Sequence, residues 1–397
     1  MTNYLNHPNY SVNPMNYPIY MDYNATTPVD QRVLEAMLPY FGVHFGNAAS
    51  RTHVFGLKAE EAVDEARKQV ARLLGAAANE VVFTSGATES INLALKGAFE
   101  ANSHRGNHII TVQTEHKAVL DTCLHLEKLG AEVTYLQPDT DGLITAKQVE
   151  AAIRPTTLLV SVMVANNEIG VIQPIHEIAT MTRKRGILFH TDATQAVGKL
   201  PLNLTETPID LLSLSGHKLY GPKGIGALIV RNKTALVAQQ DGGKHERGRR
   251  SGTLNVPGIV GLGKAAELAR MLMAVETVET QDFASLLETG ILENVPGTQV
   301  NGSREHRLPN TTNISFADVD GEVLLMSLNE IAISNGSACN AASTDPSYVL
   351  KALGVSDELA YSSVRFSLGR FTTQDDVVLA IRHVTEVVSK LRVGAMI

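Results

Sequence analysis

The stretch VVFTSGATESINLALKGAF, residues 81–99, joins an apolar, β-branched run to a helical pattern through a turn that contains Gly86. Residues 81–84 predict a buried strand, and residues 91–99 predict a helix. Glycine lets the backbone approach a ligand closely, and the first turn of a helix offers unpaired N–H groups to an anion. This turn therefore predicts either a phosphate-binding cup or an ordinary helix start capped by Ser or Thr.

Strand and helix patterns alternate on the C-terminal side of this stretch. Six further apolar runs occupy residues 108–112, 133–136, 158–162, 187–190, 211–214 and 225–230, and helical patterns such as 118–129 and 175–185 separate several of them. Apolar strands between helices are typical of a parallel sheet covered on both faces. We expect an α/β fold with a mostly parallel, seven-stranded sheet, in which ligands bind at the carboxyl ends of the strands.

The pattern changes after residue 256. A helical stretch over 256–275 leads into mixed helices and strands, which predicts a second, smaller α+β domain. We expect a large domain over residues 28–274 and a small domain formed by residues 1–27 together with 275–397. Residues 1–18 are rich in Asn, Tyr and Pro. This composition predicts a disordered extension, with a docking segment for a partner as the alternative.

Composition argues against several classes of protein. A formal net charge of −7 gives no basic field for direct nucleic-acid binding, and no apolar run is long enough to predict a membrane span. Two cysteines, Cys123 and Cys339, in 397 residues do not suggest a disulfide framework. The N-terminal residues fit neither a secretory signal nor a mitochondrial presequence. The expected location is the cytoplasm.

The motif HTDATQ, residues 190–195, follows a predicted strand. Asp192 at the ligand edge of the sheet can keep a pyridine nitrogen protonated, and the amide of Gln195 can bond to a phenolic oxygen on such a ring. The alternative is a metal pair made by His190 and Asp192, because residues i and i+2 of a strand share one face. No further cluster of ligands in the sequence completes that metal site.

Lys218 ends the motif SLSGHK, residues 213–218, after another predicted strand. A lysine at the edge of a sheet can form a Schiff base with an aldehyde cofactor. An ordinary solvated surface lysine is the alternative, and Lys223 in the following glycine-rich turn GPKGIG is the competing candidate.

Cys339 lies in ISNGSACNAAS, residues 333–343, where small polar residues predict a mobile, exposed loop. Such a cysteine suggests a reactive thiol, whereas Cys123 lies in a helical pattern and is expected to be a packing residue. Arg365 lies in an apolar run, residues 363–368. It predicts either a structural salt bridge or a clamp for a substrate carboxylate.

Taken in this order, the motifs resemble the NifS/IscS family of cysteine desulfurases, in the class V aminotransferase group of fold-type-I pyridoxal-phosphate enzymes. The resemblance runs from about residue 19 to 391 and is closest to the housekeeping iron–sulfur-cluster members. It also rests on MDYNATTP (21–28), TEHKAV (114–119), NNEIG (166–170), ERGRRSGT (246–253) and RFSLGR (365–370).

The resemblance implies the PLP-dependent transferase fold of type I and the removal of sulfur from L-cysteine. Cys339 would receive the sulfur as a persulfide, alanine would be released, and a protein acceptor would take the sulfur onward. The resemblance implies the following roles: a Schiff base and proton transfer for Lys218; the pyridinium nitrogen for Asp192; the phenolic oxygen for Gln195 and Asn167; ring stacking and acid–base work for His116; the phosphate for Ala87, Thr88, Ser215 and His217; the phosphate of the neighbouring subunit in a homodimer for Thr253; and the substrate for Asn167 and Arg365.

Three features depart from the family pattern. The early active-site loop reads NAASRTH (47–53), without the usual Asn-Pro, and Asn340-Ala341 stand where Thr-Ser usually follow the cysteine. At the first of these positions, the sequence is similar to desulfurases that serve DNA phosphorothioation. The chain also stops soon after Leu391, where housekeeping members carry a longer tail that docks the scaffold. The acceptor, an iron–sulfur scaffold, tRNA thiolation proteins or DNA phosphorothioation proteins, therefore stays open.

Two other functions compete with this one. Another fold-type-I lyase or aminotransferase, for example selenocysteine lyase, would use the same cofactor, but an aminotransferase would not need Cys339 in a loop. A non-catalytic scaffold for sulfur transfer is the alternative from a different class. The joint presence of Lys218, Asp192 and Cys339 argues against it.

Overall fold

The computed structural model describes residues 18–335 and 346–394. Along these residues the elements are β1 (Ile19–Tyr20), α1 (Gln31–Met37), α2 (Val54–Leu74), β2 (Val81–Thr84), α3 (Ala87–Asn102), β3 (His108–Val112), α4 (Lys117–Glu127), β4 (Glu132–Leu136), α5 (Ala146–Ala151), β5 (Thr157–Ser161), α6 (Ile175–Lys184), β6 (Leu188–Asp192), β7 (Leu211–Ser215), β8 (Gly226–Val230), α7 (Val256–Asn294), β9 (Thr298–Val300), β10 (Thr311–Phe316), α8 (Gly321–Ser327), β11 (Ile331–Ala332), α9 (Tyr348–Ala352), α10 (Asp357–Tyr361), β12 (Ser363–Ser367) and α11 (Gln374–Gly394).

Seven strands form the central sheet in the order β2-β8-β7-β6-β5-β3-β4. The pairs from β7 through β6, β5 and β3 to β4 are parallel, whereas β8 runs antiparallel to both β2 and β7. Most of these strands are buried along their whole length. This burial explains why they have continuous apolar runs in place of alternation.

Helices cover both faces of the sheet. On one face α2 and α7 pack together, and residues such as Val70 and Leu262 join the main core. On the other face Leu95 of α3 and Leu126 of α4 belong to a second core. Helix α2 ends at Gly75, whose φ of 65° is the left-handed conformation that stops a helix.

The small unit is built on the antiparallel sheet β12-β10-β9 and the two-stranded pair β1-β11. Its core contains Met21 from the N-terminal segment, Leu287 of α7 and Val384 of α11. The expected boundary between residues 274 and 275 falls inside α7, which runs through both units. The division of the chain at that point stays a prediction.

The α/β fold with a mostly parallel, seven-stranded sheet is confirmed. The runs 81–84 and 108–112 coincide with β2 and β3, and the other predicted strands differ from the observed ones by at most two residues at an end. Within residues 18–335 and 346–394, every helix is too short or too polar to span a bilayer.

Candidate active site

A pocket of about 590 Å³ lies at the carboxyl ends of the parallel strands. His116 follows β3, Met163 follows β5, Asp192 ends β6 and Ser215 ends β7. A volume in this range suits a cofactor together with a small substrate. The pocket gathers most of the predicted site residues, namely Ala87, Thr88, His116, Asn167, Asp192, Gln195, Ser215, His217, Lys218 and Arg365.

The turn before α3 forms one end of the pocket. No side chain caps this helix at Gly86, so the interpretation as a helix start capped by Ser or Thr is wrong here. Gly86 has a φ of 156°, and a Cβ added at Gly226 of β8 would lie 2.7 Å from the Cα of Gly86. Two glycines therefore let β8 approach the turn. Ala87 and Thr88 form the first turn of a 16-residue helix, whose N–H groups suit a phosphate.

His217 lies beside this cup. Its Nδ1 is 3.1 Å from Oγ1 of Thr26. Burial, followed by the positive charges of Lys218 and Lys223, lowers the pKa of His217 to about 4. The imidazole is therefore neutral at pH 7 and has one N–H available to donate.

Asp192 also lines the pocket. This residue is 5% exposed, and its Oδ1 accepts a hydrogen bond from the backbone N–H of Thr194 at 2.9 Å. Nearby, the buried carboxyl of Glu115 accepts from the N–H of Met163 at 2.6 Å. Burial raises the pKa of Glu115 well above its usual range, and the charge of Asp192 adds to this rise. Of these two carboxyl groups Asp192 lines the pocket, so it is the one placed to meet a ring nitrogen.

His116 is the N-cap of α4, and its Nδ1 accepts a hydrogen bond from the N–H of Ala118 at 3.1 Å. In a neutral ring the proton therefore lies on Nε2. The cap fixes the ring at the wall of the pocket, where it could stack on an aromatic cofactor and exchange a proton.

Lys218 follows β7 through a single 3₁₀ turn, Gly216–Lys218. Its Nζ donates to the carbonyl oxygens of Asn24 and Ala25 at 2.5 and 2.7 Å. The same Asn24 oxygen accepts from Nε2 of Gln195 at 2.9 Å. The N-terminal segment thus holds the amine of Lys218 in the pocket. A solvated surface lysine would have water, not these two carbonyl oxygens, around its amine. Lys223, the competing candidate, also lines the pocket but is exposed.

Arg365 forms a salt bridge, which was one of its two predicted roles, and its role as a clamp for a substrate carboxylate stays a prediction. It is 2% exposed, and Nη2 donates to Oδ1 of Asp22 at 2.6 Å while Nη1 donates to the carbonyl oxygen of Asn167 at 2.8 Å. It also lines the pocket. The salt bridge holds the guanidinium group in place, and its remaining N–H groups can bind a carboxylate.

Three buried polar atoms of residues that line the pocket have no hydrogen-bond partner among the described residues. They are Oδ1 of Asn167, Oγ1 of Thr194 and Nε of Arg365. An unpaired buried polar group costs about 1–3 kcal/mol. Such atoms are expected where a polar ligand completes the hydrogen bonding, so the pocket fits a ligand that carries both donors and acceptors.

The remaining predicted residues lie elsewhere. Thr253 is exposed and is not among the residues that line this pocket. Cys339 lies outside the described residues. Cys123 is buried, as expected of a packing residue. His190 is also buried, with its ring nitrogens 2.8 and 3.0 Å from the hydroxyls of Ser161 and Ser213. Within the described part of the chain, no group of three or more His, Cys, Asp or Glu side chains could hold a metal ion.

Sequence reasoning missed four contributors to the site: Asp22, Asn24, Ala25 and Glu115. The first three lie in the motif 21–28, which suggested the family but no role. Their partners Lys218 and Arg365 are more than 190 residues away along the chain. Glu115 is adjacent to His116, and a carboxyl residue at the end of an apolar strand was the available signal.

Comparisons with known proteins identify the family of this chain. The model of the class-V aminotransferase family matches residues 19–379. The cysteine desulfurase IscS of Anaeromyxobacter dehalogenans (strain 2CP-C) is 57% identical over 380 residues, covering 95% of this chain and 94% of that protein. The chain belongs to the class-V aminotransferase family, among the IscS-like cysteine desulfurases.

Solved structures of similar proteins support the fold of this desulfurase. A NifS-like protein aligns with a TM-score of 0.88 at 37% identity, covering 94% of this chain and 100% of the other. SspA in complex with cysteine aligns with a TM-score of 0.80 at 42% identity, covering 89% and 100%. Membership of the family implies pyridoxal 5'-phosphate (PLP) as cofactor. The phosphate cup, the carboxyl group of Asp192 and the lysine in the pocket of this desulfurase fit that group.

Proposed function

We propose that this cysteine desulfurase binds PLP through a Schiff base on Lys218, moves the sulfur of L-cysteine onto Cys339 as a persulfide and releases L-alanine. The observation that supports this most is the meeting of Lys218, Asp192 and Arg365 in one pocket. A lysine, an acid for the ring nitrogen and a clamp for a carboxylate are the parts that this reaction needs.

The described residues suit each part of the cofactor. The N–H groups of Ala87 and Thr88, with Ser215 and His217, would hold the phosphate. Asp192 would keep the ring nitrogen protonated, Gln195 and Asn167 would bond near the phenolic oxygen, and His116 would stack on the ring. When bound, PLP supplies an electron sink that allows a proton to leave the substrate Cα.

Arg365 would orient the substrate through its carboxylate, since its remaining N–H groups lie at the pocket wall. Asn167 would contact the substrate through Oδ1, the atom that has no partner among the described residues. Lys218 would take the proton from Cα and return it, because its Nζ is held in the pocket by two carbonyl oxygens.

Cys339 would act as the nucleophile. The described residues on either side of its segment lie close to the site: the carbonyl oxygen of Ser334 accepts from the N–H of Arg365 at 2.7 Å, and the hydroxyl of Ser347 donates to Glu168. Cys339 is four residues beyond Asn335, and four residues span at most about 14 Å. The proposal requires the thiol of Cys339 to reach the pocket across this length of chain.

The sulfur transfer is balanced in the following way. The thiolate of Cys339 attacks Sγ of the substrate, an S–S bond forms and the Cβ–Sγ bond breaks. The electron pair of the broken bond stays on Cβ, which takes up a proton and becomes the methyl group of alanine. An ordinary thiol has a pKa near 8.5, so only a few per cent is ionised at pH 7. His116 or the substrate thiolate would accept the proton of Cys339.

The enzyme would act as a homodimer with shared sites. An exposed apolar surface, which we call the N-terminal apolar surface, is formed by Leu38, Phe41, Val43, Phe45, Val54, Phe55 and Leu57. Each of these side chains is at least 48% exposed in the single chain, and contiguous apolar surface of this kind marks an interface. Thr253 is exposed in its own chain, which leaves it available to the phosphate cup of the second copy.

The persulfide would pass to a protein acceptor in the cytoplasm, with no direct contact to nucleic acid or membrane. An iron–sulfur scaffold, tRNA thiolation proteins and DNA phosphorothioation proteins are the candidate acceptors.

Alanine release from L-cysteine with a reductant present tests the proposal. The Cys339→Ala variant should bind PLP normally but release almost no alanine, and Lys218→Ala should lose both the covalent cofactor and activity. Cys123→Ala is the matched control, because burial raises the pKa of that thiol to about 12 and removes it from the chemistry. Equal alanine release by the wild type and Cys339→Ala would rule out the persulfide and favour a simpler lyase, such as a selenocysteine lyase.

A further inference from the structure

A second lysine lies behind Lys218. The Nζ of Lys199 is 3.1 Å from the carbonyl oxygen of Gln195 and 3.3 Å from Oε1 of the same residue. Lys199 and Lys218 also line a small cavity of about 30 Å³. The proposed reaction gives Lys199 no role.

The contacts of Lys199 determine which way the Gln195 amide points. An ammonium group only donates hydrogen bonds and a carbonyl oxygen only accepts them. Lys199 therefore selects Oε1 on its side of the amide, and the carbonyl oxygen of Asn24 selects Nε2 on the other side at 2.9 Å. Gln195 lines the active-site pocket. The second N–H of Nε2 is the group that this arrangement leaves to bond an oxygen on the cofactor ring.

The charges around Lys199 are mostly positive. Lys218 and Arg365 face it, and Glu276 and Arg370 line the same small cavity. Burial, followed by the charges of Lys218 and Arg365, lowers the pKa of Lys199 to about 7. The ammonium form is therefore substantially populated at neutral pH. It disfavours further positive charge at the nitrogen of Lys218.

We propose that Lys199 is a positioning residue for the cofactor, which fixes the Gln195 amide as a donor toward the ring and places positive charge behind Lys218. The inference rests on the proposed Schiff base at Lys218. Removal of the positive charge of Lys199 should make the Schiff-base nitrogen easier to protonate, because a nearby like charge is lost. Removal of a lysine with a purely structural role would not have this effect.

The experiment is a pH titration of the visible absorbance of the bound cofactor, without substrate, in four forms of the full-length holoenzyme. In Lys199→Met the midpoint should rise by about one pH unit. In Lys199→Arg, which keeps the donors and stays charged throughout the titration, the midpoint should not rise. Lys264→Met is the matched control, since that partly exposed lysine of α7 pairs with Glu267 at 2.7 Å and does not line the pocket. Its midpoint should not change.

Equal midpoints in the wild type and Lys199→Met, with the absorbance band intact, would overturn the inference. Should Lys199→Met fail to retain the cofactor, Lys199→Gln, which keeps a donor but not the charge, replaces it with the same expected rise. Failure of the proposed function is distinguishable, because the wild type would then show no Schiff-base band and Lys218→Ala would not differ from it.

Discussion

The guanidinium group of Arg370 lies 4.0 Å from the centre of the Tyr220 ring. It also pairs with Asp30 at 2.7 Å and with Glu276 at 2.5 Å. Arg370 follows β12 of the small unit, whereas Tyr220 stands two residues after Lys218 and has a φ of 63°, a strained conformation for this residue type. One buried side chain therefore ties the small unit to the segment that carries the proposed Schiff-base lysine.

Replacement of this arginine should strongly destabilise the fold. Arg370→Leu would leave the partly buried carboxylate of Glu276 without the arginine that pairs with it and the buried Asp30 with Arg32 alone. Breaking a buried pair costs about 3–5 kcal/mol. Urea unfolding of the holoenzyme measures the change in the free energy of unfolding. The control is Arg72→Leu, because Arg72 pairs with Glu65 on the surface, where about half of each side chain is exposed. Similar losses in both variants would contradict the bracing role of Arg370.

The Arg365→Lys substitution should weaken use of the substrate without removing the cofactor. Lysine keeps the charge but not the planar, bidentate geometry, so kcat/KM for L-cysteine should fall by roughly 100-fold. Alanine release across a range of cysteine concentrations gives this value, and the visible absorbance reports the cofactor. Arg304→Lys, an exposed residue that pairs with Glu288, is the control. An unchanged kcat/KM would mean that Arg365 serves only as the partner of Asp22.

The sequence predicted the strands and the residues that carry chemistry better than it predicted the distant groups that hold those residues in place. Residues 81–84 and 108–112 are strands as expected, because a buried parallel strand has a continuous apolar run. The same kind of run over residues 225–230 gave no sign that β8 is antiparallel, since apolar character does not encode strand direction.

The same difference between local and long-range features applies to the site. Asp192 and Lys218 were predicted because each lies within four residues of the end of a predicted strand. The carbonyl oxygens that hold Lys218 belong to Asn24 and Ala25. A backbone oxygen has no side-chain signature, and its contact across more than 190 residues depends on the tertiary fold alone.

A charge placed on the N-terminal apolar surface should separate the proposed dimer. Phe45 is 66% exposed in the single chain, and its ring centre is 5.2 Å from that of Phe55. Phe45→Glu would place a carboxylate in the interface, so sedimentation at micromolar concentration should show mainly monomer. Leu129→Glu is the control, because Leu129 is 63% exposed beyond the end of α4 and should leave the dimer intact. If Phe45→Glu remained a dimer, the N-terminal apolar surface would not be the dimer interface.

His190 should make stability depend on pH. Burial lowers its pKa to about 3, whereas an unfolded histidine titrates near 6.5. Between these values the unfolded chain binds a proton that the native protein does not, so stability falls as pH decreases from about 6.5 toward 3. The slope from this one residue reaches about 1.4 kcal/mol per pH unit.

His190→Gln tests this dependence, because an amide can keep bonds to Ser161 and Ser213 but does not titrate. Urea unfolding at pH 7, 6 and 5, at one protein concentration, should show a shallower slope for this variant. His176→Gln, at an exposed position, should follow the wild type. Parallel curves for all three proteins would refute the prediction.

The pairing of β1 with β11 also has a consequence for biosynthesis. Ile19 lies beside Ile331 in the register of these strands, and Asn24 and Ala25 hold Lys218. On the ribosome, residues 18–25 emerge early, yet the strand that pairs with β1 is made more than 300 residues later. The nascent chain must keep this segment unpaired through most of translation. The catalytic pocket is therefore assembled only near chain release, even though its sheet can form earlier.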